Sequence, residues 1–344
     1  MPTRLLVGDC RDVLKTLPTA SVHCVVTSPP YWGHRDYGIT DAQTIGMEAT
    51  MPEYVVGLCR VFMQVHRVLR DDGTLWLNLG DTYANKQLQM IPARVALVLQ
   101  ENGYLLRSDV IWHKPNAMPE SASDRPTSAH EHVLLFSKSP AYYYDAEAVR
   151  EDGAGSTRFG VMKFPGRLEH GGWHSDGQEN TREGRNLRNV WTVATGNFSE
   201  AHFATYPPEL IEPCIKAGTS EAGCCAKCGA PRVREFERQS VREYGGTRDM
   251  AKTPLNVVRA GWRKGGPETI TTGWVSGCEC DADTVRATVL DPFAGAGTTL
   301  LVADRLQRDA IGIEQNESYA AMAHARVTND APLFTRCDLI EGTQ

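Results

Sequence analysis

Short apolar, β-branched runs that alternate with helical spacings leave this chain few folds to choose from. Residues 4–7, 23–27, 74–79, 105–112 and 132–136 read as strands, and 288–290 and 310–313 follow far downstream. Between them, Val55, Leu58, Phe62, Val65 and Leu69 share one face of a helix over 52–69. Residues 91–102, 208–216, 298–308 and 316–327 carry similar spacing. Strands separated by helices pair in parallel, because each crossover returns the chain to the same end of the sheet, and the helices cover both faces. The class is therefore α/β, and 344 residues suffice for one large domain with additions. The rhythm fails over 150–188 and again over about 219–283, so both stretches are read as insertions on one core.

Asp291-Pro-Phe-Ala-Gly-Ala-Gly-Thr-Thr299 follows an apolar strand and opens a helix. Gly295 and Gly297 allow a tight turn and close approach to a bound group. Glu314 ends the next strand, where an acidic side chain can bond ribose hydroxyls. A phosphate-binding loop would place Lys after its last glycine, but Thr298 follows Gly297, and the third glycine of the dinucleotide fingerprint is missing. An adenosine cofactor without phosphates fits better than ATP or NAD.

His23-Cys-Val-Val-Thr-Ser-Pro-Pro-Tyr-Trp32 ends another strand. Pro29 and Pro30 stiffen the backbone and leave the carbonyls of residues 28–30 without local ladder partners, while Tyr31 offers a flat aromatic face. This suits a planar ring bearing an amine. The lone pair of such an amine is delocalised into its ring. Acceptors at the Ser28 hydroxyl and the Pro29 carbonyl would hold the amine hydrogens and favour a pyramidal, nucleophilic nitrogen. Catalysis is then positioning and electrostatics, with Ser28, Pro29, Pro30 and Tyr31 as the catalytic set. In duplex DNA the target base must first be flipped out.

These motifs resemble the S-adenosylmethionine-dependent amino DNA methyltransferases of the β arrangement, in which the catalytic motif precedes the glycine loop. The resemblance runs through Gly8-Asp9, Thr27-Ser-Pro-Pro-Tyr31, Ile111-Trp-His-Lys-Pro115, Arg125-Pro-Thr-Ser-Ala-His-Glu131, His202-Phe-Ala-Thr-Tyr-Pro207, Asp291–Thr299 and Glu314. It implies a Rossmann-like methyltransferase fold: a twisted, mostly parallel seven-stranded sheet with helices on both faces, circularly reordered, with an antiparallel C-terminal strand. By the same resemblance, Phe293, Gly295 and Gly297 line S-adenosylmethionine, Glu314 takes its ribose, Asp9 lies near its adenine, and Phe203, Ala204 and Thr205 near its methionine end. Thr27, Asp291, Thr298 and Thr299 complete the expected cofactor set. The expected division is a catalytic half over 1–149, a target-recognition insertion over 150–200, a pocket helix over 201–218, a cysteine-cluster insertion over 219–283 and a cofactor-binding half over 284–344.

Within this family, Ser at position 28 resembles the N4-cytosine enzymes, whereas adenine enzymes usually carry Asp or Asn there. A hydroxyl can both accept from an amine and donate to a ring acceptor. Cytosine N4 is therefore the expected target, with adenine N6 the alternative. C5 methylation would need a cysteine thiolate. Pro213-Cys214 lies in a helical pattern where core packing explains the cysteine. A silent DNA-binding protein, or a methyltransferase of RNA or of a protein amide, would share parts of this pattern. The two intact loops disfavour the first, and the arginine-bearing insertions favour duplex DNA.

Cys225-Ala-Lys-Cys228 resembles a zinc knuckle, and Cys278-Glu-Cys280 can supply two more thiolates for a structural Zn2+. Cys224 competes with Cys225 for the first position. The formal net charge of −6 advertises no nucleic acid, but DNA senses local patches. Arg167, Arg182, Arg185, Asn186 and Arg188 are the candidate DNA-reading residues. The resemblance makes double-stranded DNA the partner and allows a companion restriction endonuclease on a separate chain, with the protein a monomer or dimer. No run is apolar enough to cross a bilayer and the N-terminus does not resemble a signal peptide, so a cytoplasmic protein without a membrane partner is expected.

Overall fold

Four elements open the chain: strand β1 (Thr3–Val7), helix α1 (Cys10–Thr16), strand β2 (Val22–Thr27) and helix α2 (Met51–Val68). The next stretch holds β3 (Leu69–Leu79), a small β4 (Tyr83–Ala84) and β5 (Gln87–Leu88) hairpin, α3 (Ile91–Glu101), β6 (Leu105–His113), β7 (His130–Ser137) and β8 (Val190–Thr192). Helix α4 (Pro208–Gly218), β9 (Cys224–Cys225), β10 (Val233–Ser240), β11 (Pro267–Val275) and β12 (Thr284–Val285) follow. The chain closes with β13 (Thr288–Asp291), α5 (Thr298–Arg305), β14 (Asp309–Glu314), α6 (Glu317–Asp330) and β15 (Cys337–Glu341). This computed structural model describes residues 3–33, 44–151, 185–196, 206–240, 267–332 and 335–341.

The described chain divides into two compact units. One comprises Met1–Val149, Arg188–Val233 and Ser276–Gln344; the other comprises Arg150–Leu187 and Arg234–Val275. In the second unit, β10 pairs with β11, Arg234 lies 4.3 Å over the Trp274 ring, and Glu151 pairs with Arg185 at 2.6 Å.

The first unit is built on one sheet of order β15-β1-β14-β13-β2-β3-β7-β6-β8. All neighbours run parallel except β7, which is antiparallel to both β3 and β6. The expected seven strands are there, and β15 and β8 extend the sheet at its two edges. The antiparallel strand also differs from expectation: the last strand, β15, runs parallel to β1, and the reversal falls at β7 inside the sheet.

Alternation along each strand sends side chains to two helical layers. On one face, Val25, Leu75, Leu77, Phe136 and Ile311 pack with the buried sides of α1, α2 and α3. On the other, Cys24 and Thr74 meet α4 so closely that a Cβ on Gly218 would lie 2.6 Å from Cys24 Sγ. Cys214 is fully buried there and its thiol bonds within its own helix, to Leu210 O at 3.7 Å, which is the core role expected of it. Helix α2 starts on a capping box: Thr50 accepts from the Glu53 amide and Glu53 accepts from the Thr50 amide, with Pro52 in the first turn. It ends at Val68, and Leu69 passes straight into β3, which therefore begins five residues earlier than its apolar run suggested.

At the amino end of β2 a cysteine-bearing knuckle docks on the sheet. His23 Nδ1 accepts from the Thr288 amide at 3.0 Å, and Nε2 faces Gly229 O at 3.0 Å, so the ring is neutral with its hydrogen on Nε2. Arg70 adds a bond from its guanidinium to Cys228 O at 2.6 Å. Burial, reinforced by the Arg70 charge, pushes the His23 pKa down to about 4. The unfolded ring takes its proton near its ordinary value and the folded ring does not. Stability from this group is thus complete above about pH 6.5 and is lost as pH falls towards 4, by up to ~3 kcal/mol. Urea midpoints for the wild type and His23→Gln at pH 7 and pH 4.5 check this: the wild-type midpoint should fall more steeply with acid than the variant's, and parallel falls would refute it.

Candidate functional site

The chain leaves β2 towards β3 on one side and β13 towards β14 on the other, so the strand order reverses between β2 and β13. A crevice opens outside the carboxyl ends of strands at such a point. The glycine loop and the Ser-Pro-Pro-Tyr loop both start there.

A buried carboxylate joins the two. Thr27 Oγ1 donates to Asp291 Oδ1 at 2.6 Å, and the Phe293 amide donates to the same oxygen at 3.0 Å. Asp291 Oδ2 takes the Thr299 hydroxyl at 2.7 Å and the Tyr206 hydroxyl at 2.9 Å. Asp291 is 1% exposed, and burial raises its pKa although these donors pull it down. Four donors are what an isolated carboxylate needs to persist there.

Residues 28–31 and the glycine loop line one cavity of about 440 Å3. That is within the range of small-molecule sites. On the glycine-loop side Phe293, Gly295, Thr298 and Glu314 reach its wall, and Asp9 joins from the turn after β1. Glu314 holds the loop as well as facing the cavity: Oε2 accepts from the Gly295 amide and Oε1 from the Asn316 amide, each at 2.8 Å. Burial pushes its carboxyl upward, against those backbone bonds. Asp9 caps α1 through the Arg11 amide at 2.7 Å. Burial would raise its pKa, but the Arg11 hydrogen bonds and charge outweigh that and hold it below the usual carboxylate range.

Four of the expected cofactor residues do not reach the cavity. Thr27, Asp291 and Thr299 are buried behind it as the tie just described. Gly297 is turned the other way: it precedes α5 at φ 74°, and a Cβ there would lie 2.9 Å from Ala323 Cβ on α6. Its smallness serves helix packing. Phe203, Ala204 and Thr205 lie outside the described residues, as do Arg167 and Arg182. Arg185, Asn186 and Arg188 are described; Arg185 and Asn186 are exposed, as is Arg188.

The Ser-Pro-Pro-Tyr loop is held more firmly than its sequence suggested. Pro30 O, read as lacking a partner, accepts from Tyr54 on α2 at 2.9 Å. The Tyr31 ring lies against Gly80, where a Cβ would come within 2.7 Å of Cε2. Tyr31 donates to Glu131 Oε2 at 2.7 Å, and Ser28 donates to the Tyr31 hydroxyl at 3.3 Å. The Asn78 amide reaches Tyr31 Oη and Glu131 Oε2, both at 2.9 Å. Lys114 pairs with Glu131 Oε1 and stands 4.4 Å over the Trp112 ring. Burial first, then the Glu131 charge, raises the Tyr31 pKa well above its ordinary value, so its hydroxyl stays protonated. Asn78, Gly80, Lys114, Glu131 and Tyr206 carry no assignment from sequence reasoning. Lys114, Glu131 and Tyr206 fall within stretches that carry the family resemblance, which was the available signal, whereas Asn78 and Gly80 lie in none of them.

The sulfurs of Cys225, Cys228, Cys278 and Cys280 lie within 4.8 Å of one another, among the described residues. Cys224 points inward instead, 1% exposed, with its thiol on Val285 O at 3.5 Å. Of the two neighbours, Cys225 is the one whose sulfur lies in the cluster.

Comparison with known proteins agrees with this geometry. The sequence matches the family described as DNA methylase over residues 22–226 and 283–325, omitting a stretch that contains Cys228, Cys278 and Cys280. Type II methyltransferase M.Cfr9I of Citrobacter freundii is 43% identical, over 95% of this chain and 88% of its own length. The PvuII DNA methyltransferase (cytosine-N4-specific) superposes with a TM-score of 0.56 at 18% identity, covering 98% of this chain and 97% of that one. A putative DNA modification methylase from Thermus thermophilus, solved in complex with S-adenosyl-L-methionine, gives 0.52 at 22% identity, covering 98% and 99%. At these identities the two structures establish a shared fold.

If the Thr27–Asp291 bond ties the loops, Thr27→Val should cost about 1–3 kcal/mol by leaving a buried acceptor one donor short. Thr27→Ser should recover most of that. Chemical denaturation measures both; equal stability of the Val and Ser variants would contradict the tie.

Proposed function

Because the chain belongs to the DNA methylase family, we propose that it transfers a methyl group from S-adenosylmethionine to the exocyclic N4 of a cytosine flipped out of double-stranded DNA. The observation that carries this reading is the single cavity shared by residues 28–31 and the Glu314 side of the glycine loop. The wall fits the cofactor by its donor set. A carboxylate at Glu314 suits ribose hydroxyls, Phe293 offers an apolar face, and no lysine follows the glycines to hold phosphates. The Thermus neighbour's complex with S-adenosyl-L-methionine supports the same choice.

When bound, the cofactor supplies an electrophilic methyl group on a sulfonium. The chain's own part is to present the amine. The Ser28 hydroxyl turns its hydrogen to Tyr31 and accepts from the Asn78 amide at 3.4 Å on one lone pair, which leaves the other for an amine hydrogen, and the Pro29 carbonyl is the second acceptor. Held by two acceptors, the nitrogen pyramidalises and its lone pair turns towards the methyl. Since Tyr31 is pinned at its hydroxyl and along its ring edge, the aromatic surface is in place before the base arrives. Ser28 supports cytosine over adenine through the family resemblance of Ser-Pro-Pro-Tyr. Residues 150–200 are assigned sequence readout, a role compatible with the exposure of Arg185, Asn186 and Arg188. The Type II methyltransferase relatives favour a restriction–modification setting, in which the product protects the site from a companion endonuclease.

Duplex DNA methylated by the purified protein with labelled cofactor, then digested to nucleosides, should contain N4-methylcytosine. N6-methyladenine in its place would overturn the base assignment. Ser28→Ala should lower the rate at least tenfold with little change in cofactor affinity.

The four-cysteine knuckle is proposed to hold structural Zn2+. A Zn–S bond of ~2.3 Å sets the sulfurs of a tetrahedron about 3.8 Å apart. The observed cluster fits that spacing. Protein purified under reducing conditions should contain about one zinc per chain, and Cys228→Ser should lower that content. Less than half an equivalent in the wild type would count against the site.

A further inference from the structure

Methylation of an amine leaves a proton to be removed, and the cavity contains a chain of donors that ends on a carboxylate. We propose that Glu131 is the terminal acceptor of the proton released by the methylated amine, reached through Ser28 and Tyr31. The inference rests on the amino-methyltransferase reading of this site and extends it to a residue that reading leaves without a role.

The hydrogen bonds all point one way. Ser28 Oγ donates to Tyr31 Oη at 3.3 Å, and Tyr31 Oη donates to Glu131 Oε2 at 2.7 Å. The first is long, as catalytic hydrogen bonds often are before substrate is bound. Ser28 and Tyr31 each have an acceptor side towards the incoming proton and a donor side towards Glu131. Both hydroxyls therefore pass a proton without ever carrying charge. Tyr31 suits this, since its environment opposes tyrosinate. Asn78 donates to both Tyr31 Oη and Glu131 Oε2 and keeps them in register. Lys114 occupies the other carboxylate oxygen, so Oε2 is the one presented to the chain.

The balance closes. The amine nitrogen forms its bond to the methyl carbon as the sulfur–methyl bond breaks, and that bond's electron pair stays on sulfur. The positive charge passes to nitrogen, which gives a proton to Ser28 Oγ. The Ser28 proton moves to Tyr31, and the Tyr31 proton moves to Glu131 Oε2, leaving a neutral carboxylic acid beside Lys114. No further reactant is required, and the acid resets by exchange with solvent through the cavity, which Glu131 lines.

The charged and titratable groups around Glu131 are Lys114 at the end of β6 and Tyr31 beyond β2, with Asp81, Glu120 and His130 also on the cavity wall. Any of these could shape a pH profile, so the test compares variants. Glu131→Gln preserves an acceptor for Tyr31 but cannot take up a proton. Its single-turnover methylation rate should fall about 100-fold, a typical size for loss of a general base. Cofactor affinity, measured separately by calorimetry, should stay within about twofold of the wild type. Glu131→Asp, which restores a carboxylate to the chain, should recover much of that rate, a rescue that loss of packing alone would not give. Should Glu131→Gln fail to bind cofactor, Tyr31→Phe decides, because it cuts the chain while leaving the carboxylate. A wild-type-like rate in either interrupted variant would overturn the relay with the methyltransferase reading intact. Absence of transfer by the wild type on any duplex would instead overturn that reading, and the relay with it.

Discussion

Thr27 and Asp291 stand 264 positions apart, and the 2.6 Å bond between them sets the distance between the two loops that would share a reaction. One loop would present an amine, the other a cofactor, and the two must agree to a fraction of an ångström. Pairing of β2 with β13 brings them adjacent, but a sheet register alone leaves loops free to lean. The Asp291 carboxylate removes that freedom. Its four donors come from the end of β2, from the glycine loop, from α5 and from Tyr206 just before α4. None could let go without leaving a buried polar group exposed to an apolar interior, so the four move together or not at all.

The same strand is held at its other end by different means. His23 opens β2 and is fixed as a neutral ring between the Thr288 amide and Gly229 O. Gly229 follows directly on the cysteine pair Cys225 and Cys228. A metal-clasped knuckle would therefore brace the amino end of the strand whose carboxyl end bears the Ser-Pro-Pro-Tyr loop. Both tethers join β2 to the β13 region. This explains how a core whose halves are separated by long insertions keeps one active cavity: the insertions are spliced between elements already locked to one another.

Around Tyr31, packing and polarity do separate tasks. Gly80 leaves room for the ring, and Tyr54 donates to the Pro30 carbonyl. Glu131, Lys114 and Asn78 then set the direction of the hydrogen bonds.

Much of this was legible in the residues. The one-face spacing of α2, the apolar runs of the central strands and the cysteine spacing are local, and local patterns survive in any fold that satisfies them. The glycine loop and the Ser-Pro-Pro-Tyr loop were found the same way, because their conformations depend on the φ freedom of glycine and the rigidity of proline. What the sequence could not assign is which members of those motifs face the cavity. Asp291 and Gly297 belong to the loop by composition, yet one is a buried tie and the other a packing gap, a difference set by α6 and β2. Edge strand β8 escaped notice because three residues carry too little periodicity to stand out, and β15 because its Leu339 and Ile340 are flanked by Asp338 and Glu341 and form no apolar run. Glu131 gained its meaning only when β7 was inserted antiparallel between β3 and β6, bringing its carboxylate to a tyrosine 100 positions away. Periodicity and motif spacing are properties of one dimension and fix the elements and their chemistry. Register, burial and the direction of a hydrogen bond arise only when distant segments exclude water together, and those are what turned the elements into a site.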